Sequence, residues 1–260
     1  MVKCFLCRRK SLILGDYFYI INMRYIIGLL LLTGICSCSR YQAMEANRKG
    51  LNSIMHNQYS VALTELNQAI HLYPDFLPAY YNRAIVLANQ QRPQEALKDL
   101  NYVIAHAPKY AAAYYNRGIV YENLGKATQA IQDYSRAINL DPTLLNAYHY
   151  RGIVRFNMQD LDGALADYDK ALSLGLQSSA LYFNRGVIFH KQGRLGEAIR
   201  SYTEAIRIDP SNGKSYYNRA ISKLVIDNYK EALQDLEIAR NLGYTKATEV
   251  ISKYKKEDKH

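Results

Sequence analysis

A spacing of 34 residues, repeated six times without an insertion, constrains the fold of this chain more than any other feature. Small residues recur at this interval in two columns that lie seven residues apart. The first column is Ala62, Ala96, Ala130, Ala164, Ala198 and Ala232. The second column is Ala69, Val103, Ala137, Ala171, Ala205 and Ala239. Units of this length cover their apolar faces by stacking on one another, so the spacing predicts a repeat protein.

Two further columns indicate that each unit is a pair of helices. Small residues occupy one column: Gly50, Ala84, Gly118, Gly152, Gly186 and Ala220. Large residues follow sixteen positions later: Leu66, Leu100, Tyr134, Tyr168, Tyr202 and Leu236. Apolar residues at spacings of three and four predict helices, and turn residues such as Gly125-Lys126 separate the two helices of a unit. Pro74, Pro108, Pro142 and Pro210 end four of the units.

These columns strongly resemble the tetratricopeptide repeat, with an aromatic residue where that family has Trp in the first helix. The aromatic column is Tyr80, Tyr114, Tyr148, Tyr182 and Tyr216. The resemblance implies an all-α, right-handed α-solenoid of six helix-turn-helix repeats over residues 43–246. The predicted repeats are 43–76, 77–110, 111–144, 145–178, 179–212 and 213–246. We expect residues 247–260 to form a capping helix and a basic tail.

The first 38 residues have the organisation of a leader. One basic residue precedes the apolar run Tyr25–Leu32, and small residues follow, which is the order of a secretory signal that starts at Met23. Ile35-Cys36-Ser37-Cys38 resembles a bacterial lipobox, which predicts that Cys38 carries the lipid. We therefore expect a lipid anchor in the bacterial cell envelope, with the outer membrane facing the periplasm favoured. The alternative is an uncleaved inner-membrane anchor.

Cysteine and charge usage narrow the function. All four cysteines lie in the first 38 residues, which excludes a disulfide framework or a cysteine-ligated zinc site in the repeats. The net charge of +10 is concentrated in the leader, because the first 37 residues hold five basic residues and one acid. Nucleic acid is thus an unlikely partner. No two histidines are four residues apart, and we expect neither a metal nor a cofactor. Only 14 residues follow the last repeat, too few for a catalytic domain, so we expect no enzyme.

Two charged columns are predicted to pair within each hairpin. Arginines occupy the first helix: Arg83, Arg117, Arg151, Arg185 and Arg219. Aspartates occupy the second: Asp99, Asp133, Asp167 and Asp235. We interpret them as structural, partly exposed ion pairs worth about 0.2–1 kcal/mol each. The alternative is a strip that binds an acidic ligand. The fifth repeat departs from the pattern, because Arg185 faces Ser201 there.

The candidate binding residues come from the resemblance, since the first helices line the concave groove in this family. One column is Tyr81, Tyr115, His149, Phe183 and Tyr217. The next is Asn82, Asn116, Tyr150, Asn184 and Asn218. Asn is unfavourable inside a helix, and its amide can both donate to and accept from a peptide unit. The simpler alternative is that both columns only pack the helices.

The sequence therefore predicts a membrane-tethered, non-enzymatic scaffold or adaptor. Its ligand would be a protein or an extended peptide held in the groove by the two columns. The alternatives are an inner-membrane-anchored assembly factor and an accessory subunit of an enzyme complex. The oligomeric state does not follow from the sequence.

Overall fold

The computed structural model describes residues 38–257, with side chains as far as residue 254. All regular elements in this part of the chain are α-helices, which confirms the expected all-α repeat fold. The chain divides into two compact units, of which the first ends at Pro108 and the second begins at Lys109. The predicted signal in residues 1–37 lies outside the described residues.

Unit 1 contains two helical hairpins. Its helices are α1 (residues 38–55), α2 (Tyr59–Leu72), α3 (Leu77–Asn89) and α4 (Pro93–His106). Helix α3 packs against both α2 and α4. Small side chains such as Ala46, Ala62 and Ala79 surround Leu66 in the buried core of the first hairpin. The contact of α2 with α3 therefore joins one hairpin to the next.

Unit 2 contains four hairpins and a final helix. Its helices are α5 (Ala111–Asn123), α6 (Ala127–Leu140), α7 (Leu145–Asn157), α8 (Leu161–Ser173), α9 (Ser179–Lys191), α10 (Leu195–Ile208), α11 (Gly213–Val225), α12 (Tyr229–Asn241) and α13 (Lys246–Glu257). Ala247 and Ile251 of α13 are buried against the last hairpin, and Val250 and Tyr254 pack beside them. Helix α13 thus covers apolar surface that a seventh hairpin would otherwise have to cover.

The turn inside each hairpin is closed by one residue with left-handed backbone. These residues are Asn57, Gln91, Gly125, Gln159, Gly193 and Asp227, with φ between 57° and 72°. They lie 34 positions apart, at the turns expected from the sequence. A left-handed residue after the last helical turn satisfies the helix carbonyls and redirects the chain. Only Gly adopts this conformation readily, so the other four turns are held in place by the packing of their helices.

The two helices of a hairpin cross where a residue without a side chain faces an aromatic ring. A Cβ atom added at Gly118, Gly152 or Gly186 would lie 2.6–2.7 Å from a ring carbon of the tyrosine sixteen residues later. In the last repeat the equivalent residues are Ala220 and Leu236, which are both fully buried in one core cluster. The larger side chain on one helix is therefore matched by a smaller residue on the other.

This size matching predicts the effect of filling one crossing. Gly186→Ala should lower the thermal stability, because overpacking by about 1–3 kcal/mol outweighs the roughly 1 kcal/mol that Ala gains in a helix. Adding Tyr202→Leu should restore most of the loss, since this pair then equals Ala220 and Leu236. Thermal melts of the single and double variants test this. Gly196→Ala is the control, because its Cβ would meet only the end of Arg200 at 3.9 Å. A double variant that melts no higher than Gly186→Ala would contradict the matching.

Candidate functional site

The predicted binding residues all lie on the first helix of a hairpin. In unit 1, Tyr81 and Asn82 lie on α3. Tyr81 is half-buried, but Asn82 is buried, and its Nδ2 donates to Asn47 Oδ1 on α1 over 2.9 Å. Asn82 therefore joins two hairpins, which is the packing role that the sequence left open for this column.

In unit 2, the amides are used within the protein. Asn116 Nδ2 donates to the Ala112 carbonyl over 2.9 Å, and Asn218 Nδ2 donates to the Lys214 carbonyl over 2.8 Å. Each bond runs back one turn along the same helix. The expectation that helix A makes no use of these donors is thus wrong for their NH₂ groups. The Asn184 amide lies near the Tyr168 hydroxyl without reaching hydrogen-bond geometry.

The aromatic residues of unit 2 form a patch across α5 and α7. The Tyr115 and Tyr150 rings meet edge to face, with centroids 5.9 Å apart. Tyr150 occupies a position that holds Asn in neighbouring repeats, and its ring also stacks near that of Tyr134 at 6.3 Å. Further along, Tyr217 lies 4.8 Å from Tyr244. Phe183 is only 9% exposed, so it belongs to the core more than to the surface.

His149 occupies the same column in a largely apolar setting. Its Nε2 atom is buried and has no hydrogen-bond partner among the described residues, and burial lowers the pKa of the ring. The ring lies beside Tyr150, at a centroid distance of 5.4 Å. His149 is therefore neutral at pH 7 and serves as an aromatic contact rather than a positive charge.

Two lysines on this face escaped the sequence reasoning. Lys214 Nζ lies 4.8 Å from the Phe183 ring centroid, and Lys191 Nζ lies 5.5 Å from that of Phe156. Both lysines are exposed. The signal was present in the sequence, because neither lysine has an acidic residue three or four positions away. The nearby acid Glu122 accepts a hydrogen bond from Tyr134, and burial raises the pKa of its carboxyl.

The arginine and aspartate columns pair as expected. Two-bond contacts of 2.6–3.0 Å join Arg83 to Asp99, Arg117 to Asp133, Arg151 to Asp167, and Arg219 to Asp235. The four carboxylates are only 3–8% exposed, so the expectation of partly exposed pairs is wrong for the acid. Buried, doubly bonded carboxylates leave no strip for an acidic ligand. The columns are structural.

Most of these arginines also reach the preceding hairpin. Arg151 Nη1 donates to Ser135 over 2.9 Å, and Arg219 Nη1 donates to Thr203 over 3.1 Å. In the fifth repeat, Arg185 donates to Ser201 over 3.4 Å and takes the exposed Asp169 of the previous repeat as its anion at 2.7 Å. One guanidinium thus connects two consecutive second helices.

Asp167 and Asp169 allow a matched test of burial. Asp167 also accepts from Arg155 over 2.9 Å, so Asp167→Asn leaves two buried guanidiniums without their anion. We expect a loss of about 3 kcal/mol. Asp169→Asn removes an anion that is 50% exposed and should lose under 1 kcal/mol. Urea unfolding of both variants measures the difference. Equal losses would show that burial does not govern these pairs.

Searches of residues 38–257 for other kinds of site gave two further findings. No three His, Cys, Asp or Glu side chains in this part of the chain are grouped closely enough to hold a metal ion. None of the described helices combines the length and the hydrophobicity needed to cross a membrane.

Comparison with known proteins identifies the repeats. Two tetratricopeptide repeat models match the chain, one at residues 111–144 and 179–212 and the other at residues 55–102. The chain therefore carries tetratricopeptide repeats. No curated protein matches it.

Several solved structures share the fold. PilF of Pseudomonas aeruginosa superposes with a TM-score of 0.72 at 17% identity, over 84% of this chain and 99% of that one. YrrB, described as a TPR protein with an unusual peptide-binding site, gives 0.62 at 21% identity, over 68% and 91%. MamA from Desulfovibrio magneticus RS-1 gives 0.60 at 20% identity, over 66% and 97%. At such identities the likeness shows the fold alone.

Proposed function

We propose that this chain is a non-enzymatic protein-interaction scaffold that binds an extended peptide segment on the first helices of unit 2. The observation that carries the proposal is the juxtaposition of rings and amides on α5, α7, α9 and α11. Tetratricopeptide repeats and the peptide-binding site described for YrrB support it. Unit 1 offers less to a ligand, because its Asn82 is buried in a hydrogen bond.

The amides can turn to a ligand at little cost. The carbonyl that accepts from Asn116 also accepts the backbone N–H of that residue as part of the helix. Releasing the side chain therefore leaves no carbonyl unsatisfied. A peptide unit of the ligand offers both a donor and an acceptor, which matches an amide. The same argument applies to Asn218.

The rings and lysines would set the preference for ligand side chains. Tyr115 and Tyr150 present flat, half-buried rings that give contact area with little loss of side-chain entropy. Lys191 and Lys214 add positive charge at the edge of the patch. A ligand with acidic residues next to an apolar one would suit this surface.

A double substitution tests the amides. Asn116→Ala with Asn184→Ala should leave the melting temperature unchanged or higher, because Ala is the better helix former. Binding should fall about tenfold, since each lost hydrogen bond costs about 0.5–1.5 kcal/mol. The measurement is calorimetric titration with the partner that the protein captures from the native envelope. Asn139→Ala, at an exposed position on the second helix α6, is the control. Undiminished affinity in the folded double variant would contradict this site.

We further propose that the scaffold is tethered to the bacterial envelope by a lipid on Cys38, with the outer membrane facing the periplasm favoured. Cys38 is exposed and lies at the first described position of α1, so a lipid there would not disturb a packed side chain. The lipobox-like sequence before it is the main support. An uncleaved anchor is the competing arrangement.

Fatty-acid labelling of two cysteine variants distinguishes these arrangements. Cys38→Ala should abolish incorporation of labelled palmitate, because it removes the only acceptor that the lipobox-like sequence positions. Cys36→Ala should retain the label and serves as the matched control. Label that persists in Cys38→Ala, or that is lost only in Cys36→Ala, would refute the assignment.

A further inference from the structure

A pocket of about 230 Å³ opens on unit 1 among α2, α3 and α4. Leu63 and Leu87 form its apolar wall, and Arg83, Arg92 and Glu95 lie around them. It involves the second helices of the hairpins and belongs to the other unit, so it is separate from the surface proposed above for peptide binding.

The fifth repeat, in unit 2, shows what fills the equivalent space. Three repeat lengths after Leu87 stands Phe189, which is 2% exposed. Its ring lies between two guanidiniums, with Arg185 at 4.9 Å and Arg194 at 4.4 Å from the centroid. Leu165 packs against the cluster that contains this ring. An aromatic ring held between two arginines is therefore stable in this fold.

The same frame is present around Leu87. Arg83 and Arg92 stand at the positions of Arg185 and Arg194, and Leu63 stands at that of Leu165. Both arginines are already held by oxygen acceptors. Two hydrogen bonds of 2.7 and 2.8 Å join Arg92 to Glu95.

Arg83 is fixed even more firmly. It donates twice to Asp99 and once to Asn67, each time over 2.7 Å. The guanidiniums are thus in place in unit 1, but the side chain at the position of Phe189 is a leucine.

We propose that this pocket binds an aromatic side chain of a partner protein, with its ring on Leu63 and Leu87 and between the guanidiniums of Arg83 and Arg92. A ring is neutral, so it can enter without breaking either ion pair. It also gains cation–π attraction from both arginines. The volume suffices, since an apolar cavity of about 150 Å³ holds benzene.

Charged side chains fit the pocket less well. A cationic side chain would meet Arg83, Arg92 and Lys98, which all line the pocket. An acidic one would have to compete with Asp99 and Glu95 for guanidiniums that they already hold. An aliphatic one would be accepted by the leucines but would forgo the attraction to the arginines.

The test uses the full chain and two small probes of nearly equal size. N-acetylphenylalaninamide carries an aromatic ring, and N-acetylcyclohexylalaninamide carries a saturated one. Saturation-transfer NMR titrations should show that the aromatic probe binds about two- to fivefold more tightly. Leu87→Phe should abolish binding of the aromatic probe and raise the melting temperature, because the new ring takes the place that Phe189 has in unit 2.

A second variant tests the arginine without filling the pocket. Arg92→Gln should remove the preference for the aromatic probe, whereas Arg207→Gln, which breaks a similar exposed pair with Glu204 on α10, should leave it unchanged. No binding of the aromatic probe to the native chain would overturn the proposal. So would undiminished binding to Leu87→Phe, or equal affinity for the two probes. These outcomes leave the peptide surface of unit 2 untouched, so the two proposals fail separately.

Discussion

The contact between a small residue on one helix and a large one on the next is the constraint on which the rest of this structure depends. Gly152 brings α7 against the Tyr168 ring so closely that a Cβ atom would overlap it. That approach sets the distance between the two helices. It also buries a whole tyrosine, whose phenol has its pKa raised by desolvation. The hydroxyl is a liability that the repeats handle differently, since Tyr134 reaches Glu122 and Tyr168 has no partner.

The close crossing also brings the charged columns within reach of each other. Arg151 can place two nitrogens on Asp167 because α7 and α8 are held together at this height. Its remaining nitrogen then extends to Ser135 on the preceding second helix. A guanidinium has five N–H donors in one plane, so it can hold an anion and a neighbour at once. The same side chain therefore stabilises a hairpin and joins it to the previous one.

Packing and recognition share residues on the first helices. Phe183 was expected as a contact surface for a ligand, yet it is mostly buried beneath Lys214. Tyr150 replaces an Asn and turns part of the amide row into an aromatic patch with Tyr115. Surface and core thus alternate over short distances, and a single substitution changes which residues a ligand could meet. The pocket beside Leu87 illustrates the same point, because a smaller side chain in one repeat opens space that a ring fills in another.

The sequence by itself determined the features that repeat. The period of 34, the helix pairs, the turns at residues such as Gly125 and Asp227, and the pairing of Arg with Asp sixteen residues later all follow from local geometry within one unit. What only the tertiary structure decided is how exposed each of these groups is and what it meets across repeats. The burial of Asp167, the bond between Asn82 and Asn47, and the open pocket at Leu87 depend on side chains from separate helices. Such contacts carry no periodic signal, because they arise where the repeats differ from one another.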